Sequence, residues 1–162
     1  MNWLELIFGA LLGGFVSISP SLFFAIKGRI SPSPYSGEFW SYNYSTVRDG
    51  SVNVDRWKIK TNWAGKLVIN SNNASGKSLE YLGDVYILNG KMHIVLKGKK
   101  HDEVVHFIYS APIEAEIRLL KGIYSGISMT GKPIAGTCLI SNKELNDPDI
   151  VYHLGKPNFL SI

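Results

Sequence analysis

Two hydrophobicity regimes divide the chain. Residues 6–26 carry no charged side chain, and Lys27 and Arg29 end that run together. From Tyr35 onward the pattern changes to period two, the signature of strands with two unlike faces. "GEFWSYNYST" sets Trp40, Tyr42 and Tyr44 against Phe39, Ser41 and Asn43, and "VDRWKIKTNW" sets Trp57, Ile59, Thr61 and Trp63 against Arg56, Lys58 and Lys60. "GKLVINSN" follows the tight Ala64-Gly65, and "SLEYLGDVYIL" runs through Asn89-Gly90, a two-residue hairpin signal, into "KMHIVLKG". Past the turn "GKKHD" come "EVVHFIYS", a long strand in "EAEIRLLKGIYSG" after Pro112, a turn over residues 130–133, and the last strand "IAGTCLIS". These are eight strands with short connections and no convincing helix. Eight antiparallel strands in series predict an all-β, up-and-down (lipocalin-like) barrel, with a two-layer sandwich as the competing architecture. The tail from Asn146, with Pro148 and Pro157, is expected to be irregular and to lie against the barrel.

The apolar run has a different destiny. Residues 4–26 span 23 positions, which at about 1.5 Å each cover roughly 35 Å, enough to cross a hydrocarbon core of about 30 Å. A buried helix would show a polar face, and Ser17, Ser19 and Ser21 do not make one. A cleaved signal would need a basic start, and Met1 to Glu5 has none. The balance favours one N-terminal transmembrane helix, kinked or capped at Pro20. Lys27 and Arg29 directly after it place the following domain on the cytoplasmic side, and a single cysteine, Cys138, suits a reducing compartment. Gly9 and Gly13 form a small-xxx-small stripe through which spans can associate, although glycine is common in membrane helices generally. The expected organisation is a membrane anchor over residues 1–29, a stiff Ser-Pro linker over 30–34, and a barrel over 35–162.

The 162 residues carry a net charge of +4, compatible with an anionic surface or a phosphate ligand but diagnostic of neither. Enzyme signatures are missing. "ASGKS" ends like a phosphate-binding loop, but Ser71 stands where the earlier glycine belongs and no strand-to-helix context follows. His93 and His106 flank one turn, yet zinc wants three or four ligands, so no metal or cofactor is expected. Cys138 reads as a small buried hydrophobe. The remaining chemistry is aromatic and cationic: Tyr42, Tyr44, Trp57 and Tyr86 offer faces for stacking, and Arg56 and Arg118 offer guanidiniums for phosphate. Aromatic residues at strand spacing are more often core. Arg56 also alternates with Trp57, so with Trp57 inside Arg56 faces out unless a bulge intervenes.

"YSGEFWSY", "RWKIKTNWAGKLVI" and "LLKGIYSGISMTGKPIAGTCLIS", behind an apolar N-terminal segment, resemble in their order the membrane-anchored β-barrel effectors of bacterial antiphage defence. These are the STING-like effectors of CBASS-type cyclic-nucleotide signalling. The resemblance covers residues 35–145 plus the anchor, and departs from many relatives in having one span rather than two. It implies a non-enzymatic effector in the bacterial inner membrane, with a cytoplasmic barrel that binds a cyclic nucleotide made by a partner cyclase. It implies no nucleic-acid polymer. Binding would govern homo-oligomerisation, and clustered spans would disrupt the bilayer. Two alternatives stay open on the residues alone: a barrel holding an apolar ligand at the membrane, and an anchored interaction module with no ligand.

Overall fold

A computed structural model describes residues 33–45, 51–73, 79–111, 117–128 and 130–155. Eight antiparallel strands pair each with the next, and the last pairs with the first to give a closed barrel. They are β1 (Gly37–Tyr44), β2 (Val52–Thr61), β3 (Leu67–Asn73), β4 (Glu80–Leu88), β5 (Lys91–Gly98), β6 (Val104–Ser110), β7 (Leu119–Ile127) and β8 (Pro133–Ser141). Asn89 and Gly90 join β4 to β5 with φ of 51° and 70°, the left-handed pair that a tight hairpin with right-handed twist requires. The expected anchor with Gly9 and Gly13, most of the linker, and the "ASGKS" segment lie outside the described residues. Among the described residues no helix is long and apolar enough to cross a membrane.

Register determines which face each residue meets. Phe39 pairs with Trp57, Trp57 with Ser71, and Ser71 with Tyr81. Val85 pairs with Ile94 and Ile94 with Phe107. Phe107 then pairs with Tyr124. All of these point inward, and Trp57, Ile59, Ile69, Met92, Ile94 and Ile140 are essentially inaccessible to water. Arg56, Lys58, Lys60 and Asp84 alternate with them and lie on the outer wall.

The tail differs from expectation. Asp147–Leu154 is an α-helix, α1, and not irregular chain. The Asn146 side chain accepts from the Asp149 backbone N–H at 2.9 Å, and Pro148 sits in the first turn, where its missing N–H costs nothing. Asp147 and Asp149 favour the positive end of the helix dipole and His153 the negative end. Pro148, expected to break structure, is here part of a helix start signal. Ile150 and Leu154 pack on Tyr42, Tyr44 and Leu139, a second apolar cluster outside the barrel. The Leu145 N–H donates to the Tyr42 hydroxyl at 2.8 Å, and the Tyr44 hydroxyl donates to the Gly155 carbonyl at 2.6 Å.

Two inward glycines mark where neighbouring strands come closest. A Cβ on Gly83 would sit 2.0 Å from the Val95 carbonyl oxygen, and one on Gly126 would sit 2.1 Å from that of Val104. No side chain fits there without displacing backbone. Gly83→Ala is therefore expected to destabilise the barrel by about 2 kcal/mol, seen as a lower urea midpoint with an unchanged slope.

Candidate functional site

The barrel has two unlike ends. At one, where the chain enters β1 and where β4 turns into β5, the interior is filled by Tyr35, Phe39, Ile59, Val85, Met92, Ala111 and Ile117. At the other, where β5 turns into β6 and β7 into β8, polar side chains turn inward. This end is called the mouth below.

Strand phase builds the mouth. On β2, Asp55 lies two positions before Trp57 and shares its inward face. Ser41 on β1 pairs with Asp55, while Ser71 on β3 and Tyr81 on β4 continue the Trp57 row. Tyr109 on β6 pairs with Met92 toward the apolar end, and its hydroxyl lies beside Ser41 and Cys138. The Trp57 ring meets Phe107 edge-on at 5.0 Å between centroids and Tyr109 at 6.4 Å. That packing holds the indole in place and leaves its N–H without an acceptor. The Tyr109 hydroxyl has the Ser41 hydroxyl and the Cys138 thiol as neighbours, while Trp57 Nε1, Ser71 Oγ and His101 Nε2 are buried here with no hydrogen-bond partner. Each costs about 1–3 kcal/mol when left unpaired, and native proteins hold few of them without water or a ligand to satisfy them.

Charge at the mouth is acidic. Burial, and then the neighbouring Glu103 carboxylate, push the Asp55 carboxyl up to about 7. Glu103 is itself engaged: it accepts from the Tyr81 hydroxyl at 2.6 Å, and His101 Nε2 lies 3.5 Å away. The Tyr81 and His101 rings meet edge to face at 5.0 Å. Among the described residues no donor hydrogen-bonds the Asp55 side chain, and no Lys or Arg points into the barrel. Burial pushes the Tyr109 hydroxyl well above its usual range, and the Cys138 thiol beside it up to about 12. Both are neutral at physiological pH, so Cys138 is a packed thiol and not a nucleophile. Among the described residues no group of three or more His, Cys, Asp or Glu is arranged to hold a metal.

The six binding residues expected from sequence do not surround one cavity. Trp57 lies inside. Tyr42 and Tyr44 lie on the outer wall under α1, with their hydroxyls spent on the tail. Arg56 is outside, its guanidinium 4.3 Å above the Trp40 ring. Tyr86 is on the outer wall and 54% exposed, and Arg118 is exposed just before β7. His93 and His106 face out as well, stacked with Nδ1 and Nε2 3.2 Å apart. Sequence reasoning missed Ser41, Asp55, Ser71 and Tyr109. The signal for Asp55 was present, because whatever turns Trp57 and Ile59 inward turns Asp55 inward too.

An open groove of about 530 Å³ lies on the outer wall across β2 to β5. Lys60, Lys97, Lys99 and Asp84 rim it over Val68 and Val95. Lys99 is already paired with Glu80 at 2.8 Å.

No family model matches the sequence, and no curated protein and no solved structure matches it. The geometry of the mouth therefore carries the functional argument.

The Asp55 pKa has a direct consequence for stability. Its folded value, about 7, lies above the ordinary carboxyl value of 3.8. Between the two the folded chain holds a proton that the unfolded chain releases, so stability falls as pH rises through that window and levels off above it. Asp55→Asn removes this cost. The melting temperature of the variant is expected to exceed that of the wild type by a margin that widens from pH 4 to pH 7 and then stays constant. Circular dichroism melts across that range check it, and a pH-independent margin would contradict it.

Proposed function

We propose that this chain is a non-enzymatic, membrane-anchored receptor whose barrel takes a small ligand at its mouth and thereby governs association of the N-terminal segment. One observation carries the reading. A closed barrel with a well-packed apolar end holds two unpartnered buried polar atoms, Trp57 Nε1 and Ser71 Oγ, together with the Asp55 carboxyl toward its other end. Preformed sites for small molecules have this composition, mostly apolar walls with a few converging polar groups. The polar cluster weighs against a ligand that is wholly apolar.

A cyclic nucleotide is the ligand class that the resemblance in the sequence implies, and the mouth narrows how it would bind. With no described cation pointing inward and two carboxylates at the opening, the uncharged base goes in. The phosphates stay at the rim, where Lys100 and Lys132 are exposed. The anchor, the bacterial inner membrane and membrane disruption in antiphage defence belong to the same proposal. They rest on the apolar run at residues 6–26 and on the order of features along the chain.

A second reading has its own observation. Tyr86, His93, Ile108 and Ile123 form one row across the outer wall of β4 to β7, with Tyr86 and Ile123 more than half exposed. Exposed apolar surface of this kind favours an interaction module.

Full-length protein in lipid nanodiscs, screened by thermal shift against cyclic di- and trinucleotides and fatty acids, separates these readings. A ligand at about a hundred times its dissociation constant stabilises by about 2.7 kcal/mol, a shift of several degrees. The receptor reading expects that shift with one cyclic nucleotide and not with its linear form. A shift with fatty acids alone would replace it with the apolar-ligand reading. No shift with either would favour the interaction module.

A further inference from the structure

Resting on the receptor reading, we propose that the mouth recognises the edge of a planar heterocycle in which a ring N–H lies beside an acceptor, Asp55 accepting the N–H and Trp57 Nε1 donating to the acceptor. The argument starts from what each group can do. An indole N–H donates and never accepts, and an ionised carboxylate accepts and never donates. Asp55 and Trp57 are two residues apart on one face of β2, so they lie roughly 7 Å apart along the strand. They cannot satisfy each other at that spacing, yet one small heterocycle can reach both.

The alternatives leave something unpaired. A purely cationic ligand would satisfy Asp55 and abandon the Trp57 N–H. An anion would meet the N–H but face both Asp55 and Glu103. A group carrying donor and acceptor side by side answers both, as in a cyclic amide, a cyclic urea or a nucleobase. The Ser41, Ser71 and Tyr109 hydroxyls rotate, so they adapt to whichever polar atoms remain. The Trp57, Phe107, Tyr109 and Tyr124 rings pack against one another around the same interior, so a ligand ring would meet aromatic edges there.

Binding through the carboxylate also couples to protons. Glu103, with Tyr81 and His101 against it, and Tyr109 are the titratable groups that face Asp55. Of these, Glu103 is the one that raises its proton affinity. Because Asp55 titrates at about 7, a ligand that needs the ionised form should bind about tenfold more weakly at pH 6 than at pH 8.

The test is calorimetric titration of full-length protein in nanodiscs with cyclic di-UMP and cyclic di-GMP, each compared with its derivative methylated at the ring N–H. Imidazolidin-2-one serves as a non-nucleotide probe of the same edge. Methylation removes the donor and keeps the phosphates. It is expected to weaken binding at least tenfold in the wild type and to have no further effect in Asp55→Asn, which itself loses at least tenfold and loses the pH dependence. Trp57→Phe, which keeps a ring and removes the N–H, is expected to lose about tenfold. Nucleotide binding indifferent to methylation and to Asp55→Asn would overturn this inference and leave the receptor reading standing. Binding of imidazolidin-2-one alone, sensitive to Asp55→Asn, would keep the edge chemistry and remove nucleotides as its source. No binding of any probe to the folded protein would overturn both.

Discussion

The seam between β1 and β8 is the constraint on which the rest of the barrel depends. Only residues 40–43 of β1 pair with residues 138–141 of β8, a shorter register than any other junction in the barrel. These residues lie nearly the whole domain apart in sequence, so their pairing carries a large loop-closure cost. Helix α1 compensates on the outside. Ile150 and Leu154 cover Tyr42 and Tyr44 on one side of the seam and Leu139 on the other, and the two tyrosine hydroxyls tie the chain before and after the helix to β1. From inside, the Tyr124 hydroxyl donates to the Tyr44 carbonyl at 3.2 Å. Closure therefore depends on a tail that packs across the join, and closure gives the molecule an interior.

That interior is divided along its axis. One end is packed with apolar side chains in the manner of an ordinary core. The other holds unpaired donors and a carboxyl whose ionised form is disfavoured by burial and by a neighbouring like charge. A sequence selected only for stability would fill these positions with hydrocarbon, because an unpaired buried polar group is worse than an apolar one of the same shape. Holding Asp55, Ser71 and the Trp57 N–H in this interior therefore costs the fold stability. The chain enters β1 at the apolar end, so the mouth lies at the end of the barrel away from Gly37.

Much of this fold was legible because a half-buried strand announces itself with period two. All eight strands and the Asn89-Gly90 hairpin follow from alternation and turn chemistry. What alternation cannot supply is the sign of a face. On β1, Trp40, Tyr42 and Tyr44 look more like an interior than Phe39, Ser41 and Asn43 do. Their side is nonetheless the outer wall, because a helix arrives from residues 147–154 to bury it. The helix was missed because Pro148 was weighed as a breaker without the Asn146 cap before it. The same ambiguity of sign governs the chemistry-bearing residues. Tyr42, Tyr44 and Arg56 lie on the outer wall, whereas Ser41 and Asp55, one position away, face the interior. Trp57 faces inward with Ile59, whose apolar side chain in the same phase marks that face as internal.

The central claim is that a ligand meets the polar interior and not the outer wall, and the indole N–H resonances of the chain's four tryptophans read this directly. Trp57 is inside the mouth, Trp40 lies on the outer wall beneath Arg56, and Trp63 stands in the β2–β3 turn at 86% exposure. With the full-length protein labelled at tryptophan nitrogen, cyclic nucleotide should move the Trp57 Nε1–H signal downfield as it gains an acceptor, while Trp40 and Trp63 stay where they are. A saturable shift confined to Trp40 or Trp63, with Trp57 unmoved, would put the ligand on the outside of the barrel and contradict the account.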